Sequence, residues 1–263
     1  MTSHLAVQLF TVREHTRTRT DLDRTLQRIR AIGYEAVELA AVGAMTGERP
    51  EVDASTARRM LDDHGLRCIA AHRSWNQLRS QPAAEIEFLQ TLGCRYAAIG
   101  GLPDSAHDNY ADYRAYVEEA EALLARLRPA GIRFGHHNHS HEFFRPEAKG
   151  ISLFDILIDE APADLMLELD MYWVANAGAN PEQILGRCHG RVPVVHFKDK
   201  EVIPGSSETR IAPVGEGNLD WSGIIAGCRA AGTEWYCVEQ DECLRDPFDC
   251  LKSSFEFLRG FDL

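Results

Sequence analysis

The sequence lacks an excess of positive charge. Its 28 lysines and arginines are outnumbered by 40 aspartates and glutamates, which gives a formal net charge of −12. Proteins that bind nucleic acid gain affinity by neutralising phosphates with clustered basic residues, and the sequence has no such cluster. The composition therefore argues against binding to nucleic acid and favours a small-molecule partner.

Paired cysteines and long apolar runs are also missing. The seven cysteines are an odd number without a CxxC pair, so they predict buried thiols in a reducing compartment and neither a disulfide framework nor a zinc knuckle. No stretch approaches the roughly 20 apolar residues that a membrane helix requires. The first residues, MTSHLAVQLFTVRE, lack the basic segment of a signal peptide. We expect a cytoplasmic protein with no membrane partner.

No GxGxxG turn follows the first apolar segment, LAVQLFTV, which argues against an open dinucleotide-binding sheet. What recurs instead is a glycine between a helical pattern and a short apolar run. Glycine is favoured after a helix because it adopts the left-handed conformation without steric cost. Six helix-to-strand joints are predicted in this way, at Gly33, Gly65, Gly93, Gly131, Gly190 and Gly232, and a seventh at Pro162.

Together with the opening segment, these joints give eight short apolar strands, each followed by a segment that could form a helix. Strands that are buried on both faces and alternate with helices are typical of parallel α/β folds. Eight such units in 263 residues match the (β/α)8 TIM barrel. Since no linker interrupts the pattern, we predict a single TIM barrel domain over residues 1–263, with a long, irregular and functional loop at 200–221.

The most unusual segment is HHNHSHEF, residues 136–143, which holds four of the eleven histidines and one glutamate. In a TIM barrel the carboxyl ends of the strands meet at one mouth, where active sites are built. The predicted strand ends carry this segment and then Asp170, His196 and Glu239. One Glu or His, one Asp, one His and one Glu would converge as ligands of one divalent ion. Such donors suit Mn, Mg, Co, Zn or Fe, and we favour Mn or Zn.

Four segments, HNHSHEF, LELDMYW, HFKDK and VGEGNLDW, resemble the sugar phosphate isomerase/epimerase superfamily. These are the xylose-isomerase-like barrels, which also include inosose dehydratase and the endonuclease IV family. The resemblance extends from LAVQLFTV to YCVEQD, nearly the whole chain, but it does not specify a substrate. It implies a metal held by Glu, Asp, His and Glu, which correspond here to Glu142, Asp170, His196 and Glu239.

A different residue could take the place of the first of these ligands, Glu142. Many members of the superfamily end the fifth strand on the ligand glutamate, and counting from Ile132 that depth is occupied here by His136 or His137. Glu142 lies farther along and must fold back from the loop to reach the metal. We predict Glu142 over His137, because a carboxylate supplies both a metal ligand and a base, whereas a metal-bound imidazole has no nitrogen left for proton transfer.

Lys198 is a candidate catalytic residue. It lies two residues after His196, so both side chains are expected on the same side of the strand, toward the mouth. There the ammonium could stabilise the oxyanion that develops on a carbonyl substrate. The alternative is a surface lysine paired with Asp199 or Glu201.

Other polar residues and one indole are expected to contact the substrate or line the site. Arg210 could bind a phosphate or carboxylate group of the substrate, or it could be an exposed loop residue. Glu168, one layer deeper in the barrel than the ligands, needs a partner such as Arg133. The remaining predicted substrate contacts are His72, His137, His139 and Trp173.

These residues predict a metal-dependent isomerase or epimerase of a small sugar, keto-sugar or sugar phosphate. The metal would hold the substrate oxygens while Glu142 or Glu239 removes the proton α to the carbonyl and generates an enediolate. A dehydratase of the inosose dehydratase type is the alternative, since it begins with the same step. An endonuclease-IV-like repair enzyme is disfavoured by the charge, and a non-catalytic sugar-binding barrel by the presence of all the carboxylates. The chain is also compatible with a homo-oligomer.

Overall fold

A computed structural model describes residues 4–102 and 108–263, and it forms a closed barrel of eight parallel strands. Within these ranges the strands are β1 (Leu5–Gln8), β2 (Ala36–Leu39), β3 (Arg67–His72), β4 (Tyr96–Ile99), β5 (Arg133–His137), β6 (Met166–Asp170), β7 (Val194–Phe197), β8 (Asp199–Val202), β9 (Thr209–Ala212) and β10 (Trp235–Val238). Strands β1 to β7 pair in chain order, and β10 closes the ring between β7 and β1. The predicted (β/α)8 barrel is confirmed.

Helices surround the barrel and connect its strands. They are α1 (Arg19–Ile32), α2 (Ala54–Asp63), α3 (Trp75–Ser80), α4 (Pro82–Leu92), α5 (Tyr110–Leu127), α6 (Leu153–Asp159), α7 (Met171–Asn176), α8 (Pro181–Arg187), α9 (Trp221–Ala231) and α10 (Pro247–Leu258). Several begin where a side chain accepts a hydrogen bond from the first turn, as Thr18, Asp53 and Asn109 do. All six glycines predicted to end a helix have a positive φ, between 65° and 126°.

Two apolar layers hold the barrel together. The larger layer lies between the strands and the helices, and it includes Leu26, Leu61 and Phe154. The smaller layer fills the barrel interior near the amino ends of the strands with residues such as Ala36 and Val194. Toward the carboxyl ends the buried interior is polar and charged instead, and burying charge requires partners there.

The connections differ from the prediction in two respects. Residues 200–221 are less irregular than expected, because β8 and β9 pair as an antiparallel hairpin. The buried carboxylate of Asp199, the first residue of β8, accepts hydrogen bonds from residues that follow the hairpin, namely from the Gly215 and Gly217 amides and from Trp221 Nε1. In addition, β3 and β6 are each followed by two helices where one was predicted.

The structure also bears on the thiols and on membrane insertion. All seven cysteines are free, and six of them are buried, in agreement with thiols that pack as small apolar groups. Among the described residues, no helix combines the length and apolar character needed to cross a bilayer.

Candidate metal centre and active site

The carboxyl ends of four neighbouring strands bring together His137, Asp170, His196 and Glu239. β5 ends at His137, β6 ends at Asp170, His196 is the penultimate residue of β7, and Glu239 follows β10 directly. One ligand-capable atom from each of the four lies within 4.8 Å of the others, and none of the residues is more than 4% exposed. We call these four residues the central group.

His196 is held between two carboxylates. Its Nδ1 lies 2.9 Å from Glu239 Oε2, and its Nε2 lies 2.7 Å from Glu38 Oε2 at the end of β2. Burial alone would lower the pKa of His196, but Glu38 and Glu168 raise it well above its usual value. The two ring nitrogens thus face different carboxylates, Nε2 that of Glu38 and Nδ1 that of Glu239. An outer carboxylate commonly orients a metal-ligating imidazole in this way.

The donors of the central group fit a divalent ion. His137 Nδ1 is buried without a hydrogen-bond partner in the described part of the chain. Burial, helped by the neighbouring imidazoles of His196 and His72, lowers the pKa of His137 well below its usual value, so the ring is neutral. Burial raises the pKa of Asp170 to about 6 against the opposing charge of Lys198. Two imidazoles and two carboxylates form a donor set that borderline ions accept.

Lys198 is completely buried among three carboxylates. Its Nζ lies 3.0 Å from Asp170 Oδ2, 2.9 Å from Glu239 Oε2 and 2.8 Å from Asp241 Oδ2. Burial lowers the pKa of Lys198, but the three carboxylates outweigh this effect and raise it above its usual value. Lys198 is therefore a fixed positive charge beside the central group, and it is not the exposed lysine of the alternative interpretation.

A second polar layer lies deeper in the barrel. His72 Nε2 lies 2.6 Å from Glu168 Oε2 and 3.1 Å from Glu38 Oε1, so one imidazole joins two buried carboxylates. The expectation that Arg133 would be the partner of Glu168 is wrong. Arg133 begins β5 at the opposite end of the barrel, where its Nη2 donates to the Gly190 carbonyl.

The HHNHSHEF segment places its side chains in different directions. Successive residues of β5 point to opposite faces, so His137 belongs to the central group while His136 packs beside Tyr116 of α5. The buried Asn138 Oδ1 accepts the backbone N–H of Asp170 at 3.0 Å. This bond ties the loop after β5 to the end of β6.

Glu142 folds back from the loop, as predicted, but toward other partners. Its Oε1 lies 3.1 Å from His136 Nε2, and its Oε2 accepts the His139 N–H at 2.8 Å. The Glu142 carboxylate oxygen that could bind a metal lies close to donor atoms of His139 and His141. It is not part of the central group. The structure thus brings three of the four predicted ligands together, with His137 as the fourth donor. The role of Glu142 as a ligand stays a prediction.

The remaining predicted contacts occupy the mouth and the hairpin. Trp173, in the first turn of α7, donates its amide to Asp170 Oδ1 at 2.9 Å and packs against His139 with ring centres 5.5 Å apart. Burial lowers the pKa of His139 to about 4, so its ring is neutral. Arg210 lies on β9, and its Nε donates to Glu201 at 2.6 Å, so its charge is already paired within the hairpin.

Two polar contributors were missed by the sequence reasoning. Asp241 lies two residues after Glu239, and the same alternation that pointed to Lys198 could have indicated it. Asn138 accepts a hydrogen bond from the backbone N–H of Asp170, and no spacing of residues in the sequence indicates such a contact.

Comparison with known proteins identifies a family that has this architecture. Residues 26–260 match the family described as xylose isomerase-like TIM barrel. No curated protein matches the sequence significantly. Among solved structures, a sugar phosphate isomerase/epimerase from Parabacteroides distasonis has a TM-score of 0.76 and 21% sequence identity, over 99% of this chain and 95% of the other.

Two further solved structures have the same fold. The probable 3-DHS dehydratase AsbF from Bacillus anthracis has a TM-score of 0.72 and 15% identity, over 98% of this chain and 99% of its own. The IOLI protein with a binding zinc atom has a TM-score of 0.71 and 16% identity, over 98% and 97% of the two chains. Likeness at these identities shows the fold alone. Since the family match spans most of the sequence, this chain belongs to the xylose isomerase-like TIM barrel family.

Proposed function

We propose that this protein is a divalent-metal-dependent isomerase or epimerase of a small polyhydroxy carbonyl compound. The observation that carries the proposal is the central group, in which four buried donors from neighbouring strand ends lie within 4.8 Å of one another. Isolated buried carboxylates and imidazoles are costly, so their convergence at the mouth of a barrel is typical of a functional centre. The names of the structural neighbours support the class of reaction but not the substrate.

We propose His137, Asp170, His196 and Glu239 as the residues that would hold the ion. When bound, a divalent ion polarises a carbonyl and lowers the cost of negative charge on its oxygen. The grouping of the donors favours His137 over Glu142 as the first ligand, contrary to the expectation from the sequence.

Lys198 and two glutamates would carry out the remaining chemistry. The Lys198 ammonium, fixed by its carboxylate partners, is placed to stabilise the oxyanion of an enediolate. Lys198 and His196 overcome the effect of burial and lower the pKa of Glu239, so this carboxylate stays ionised as a base requires. Glu142 stays the second acid/base candidate, and His139 and Trp173 are proposed to contact substrate hydroxyls.

Metal content and proton exchange test this proposal. In Asp170→Asn the remaining oxygen can still cap α7, so loss of metal from the folded protein would reflect the lost ligand charge. We expect Asp170→Asn and His137→Gln to lose the metal on gel filtration, as measured by elemental analysis. We expect Glu142→Gln to keep the ion of the central group. The matched controls are Asp53→Asn, which alters the cap of α2, and His189→Gln at an exposed position.

Activity is tested by incubating the metal-loaded wild type in D2O with a panel of ketoses, aldoses and inososes. We expect deuterium at the carbon α to the carbonyl, with no exchange in Asp170→Asn. Full metal content in Asp170→Asn, or exchange that is unaffected by the loss of metal, would overturn the proposal.

A dehydratase is the second candidate, because one structural neighbour is named a probable dehydratase. Elimination of a β-hydroxyl would begin from the same enediolate. A product that is lighter than its substrate by one water identifies this outcome, whereas isomers and epimers keep the substrate mass.

A further inference from the structure

Two histidines and the glutamate of the HHNHSHEF segment form a separate cluster at the barrel mouth. One ligand-capable atom from each of His139, His141 and Glu142 lies within 4.8 Å of the others. None of the three belongs to the central group. We propose that these residues form a second metal site, which takes a borderline divalent ion such as Zn²⁺. We call it the mouth site.

The donor groups of the mouth site lie close together. The rings of His139 and His141 stack with centres 5.7 Å apart and planes at 17°. His139 Nδ1 is buried and has no hydrogen-bond partner among the described residues. His141 Nε2 lies 3.3 Å from Glu142 Oε1. Two imidazoles and one carboxylate are a recurring set of protein ligands for zinc, with water in the fourth position.

Glu142 is oriented as ligand carboxylates usually are. His136 Nε2 lies 3.1 Å from Oε1, and the His139 N–H donates to Oε2 at 2.8 Å. Hydrogen bonds from a buried shell fix the direction of a metal-binding carboxylate and increase the affinity of the site. His136 and Glu142 are both essentially inaccessible to solvent, so this shell is rigid.

The mouth site is next to the central group but differs from it in exposure. The His139 ring contacts His137 on one side and Trp173 on another, with centres 4.9 Å and 5.5 Å apart. The side chain of His141, by contrast, is 48% exposed. A site with three protein donors and an open side should bind more weakly than a buried site with four. The inference concerns metal binding alone and does not depend on the proposed reaction.

The test is a titration of the metal-free full-length protein with Zn²⁺ in competition with a chromophoric chelator. We expect two equivalents per wild-type chain, a tighter one and a weaker one. In His141→Gln the weaker equivalent should lose affinity by about tenfold or more, because a ligand is removed, while the tighter one is unchanged. His139→Gln should have the same effect. His189→Gln, at an exposed histidine that belongs to no candidate cluster within residues 4–102 and 108–263, should bind as the wild type does.

Asp170→Asn separates this inference from the proposed function. It should lose the tighter equivalent and keep the weaker one. A single equivalent in the wild type, both equivalents retained in His141→Gln, or an equal loss in His189→Gln would each overturn the mouth site. If His141→Gln loses the weaker equivalent of metal but Asp170→Asn loses neither equivalent, the result supports the mouth site. The assignment of the central group as a metal site is then wrong.

Discussion

Lys198 is one positive charge that contacts several carboxylates of the site. It is fully buried, and its ammonium contacts three carboxylates, two of which belong to the central group. Removing one partner of a buried ion pair leaves the other charges without compensation, and this usually costs more than the pair contributes. Lys198 therefore links the stability of the barrel mouth to the proposed chemistry.

We predict two effects of Lys198→Met. The free energy of unfolding of the metal-free protein should fall by about 3–5 kcal/mol, because buried carboxylates lose their cation. Turnover should fall by about 10²- to 10³-fold with metal content unchanged, because an oxyanion loses its stabilising charge. Urea denaturation and steady-state kinetics measure these quantities. Lys252→Met, which removes an exposed lysine from α10, is the control. Wild-type turnover in Lys198→Met would refute the catalytic role.

The candidate site was only partly predictable from its residues. The convergence of Asp170, His196 and Glu239 was predictable because the carboxyl ends of the strands of a barrel meet at one mouth, whatever the conformation of the loops. The direction of Glu142 was not predictable in the same way, since it depends on the turn after β5 and on the hydrogen bonds from His136 and the His139 amide. The contact of Asn138 with a backbone amide leaves no pattern in the sequence.

Strand β5 owes its position to a glycine. Gly135 pairs with Met166 of β6, and a Cβ at Gly135 would lie 2.0 Å from the Met166 carbonyl oxygen. Only a residue without a side chain allows this approach. His137, two residues later, is held at its place in the central group by the same strand pairing.

Gly135→Ala should therefore separate β5 from β6. We expect the free energy of unfolding to fall by about 3 kcal/mol, at the upper end of overpacking effects, because the contacted atoms are backbone and cannot rotate away. Gly186→Ala is a matched control in α8, where a Cβ meets no atom of the described residues within 4 Å. It should be neutral or stabilising by up to about 1 kcal/mol. Equal stabilities of the two variants in urea denaturation would contradict this explanation.

The hairpin formed by β8 and β9 was not predicted from the sequence. Its strands, DKEV and TRIA, are short and mixed in polarity, and the glycines and prolines around them are typical of an irregular loop. The buried Asp199 organises the residues that follow through hydrogen bonds to the Gly215 and Gly217 amides. Such a long-range role of one carboxylate cannot be inferred from local periodicity.

Over the whole molecule, the barrel interior is divided along its axis into an apolar part and a polar part. Small and apolar residues fill the interior near the amino ends of the strands, whereas histidines and carboxylates fill it near the carboxyl ends. The number of barrel strands was predictable because glycines mark six of the helix-to-strand joints, and all six have a positive φ in the structure. The substrate was not predictable, because hydroxyl-binding residues at a barrel mouth carry no unique pattern.

His137, Asp170, His196 and Glu239 are the proposed ligands of a divalent metal at the mouth of the barrel. Anomalous diffraction at the zinc edge, from a crystal of the zinc-loaded protein, tests this assignment. We expect an anomalous peak within coordination distance of a side-chain donor from each of these four residues. A map with no peak between Asp170, His196 and Glu239 would show that the assignment is wrong.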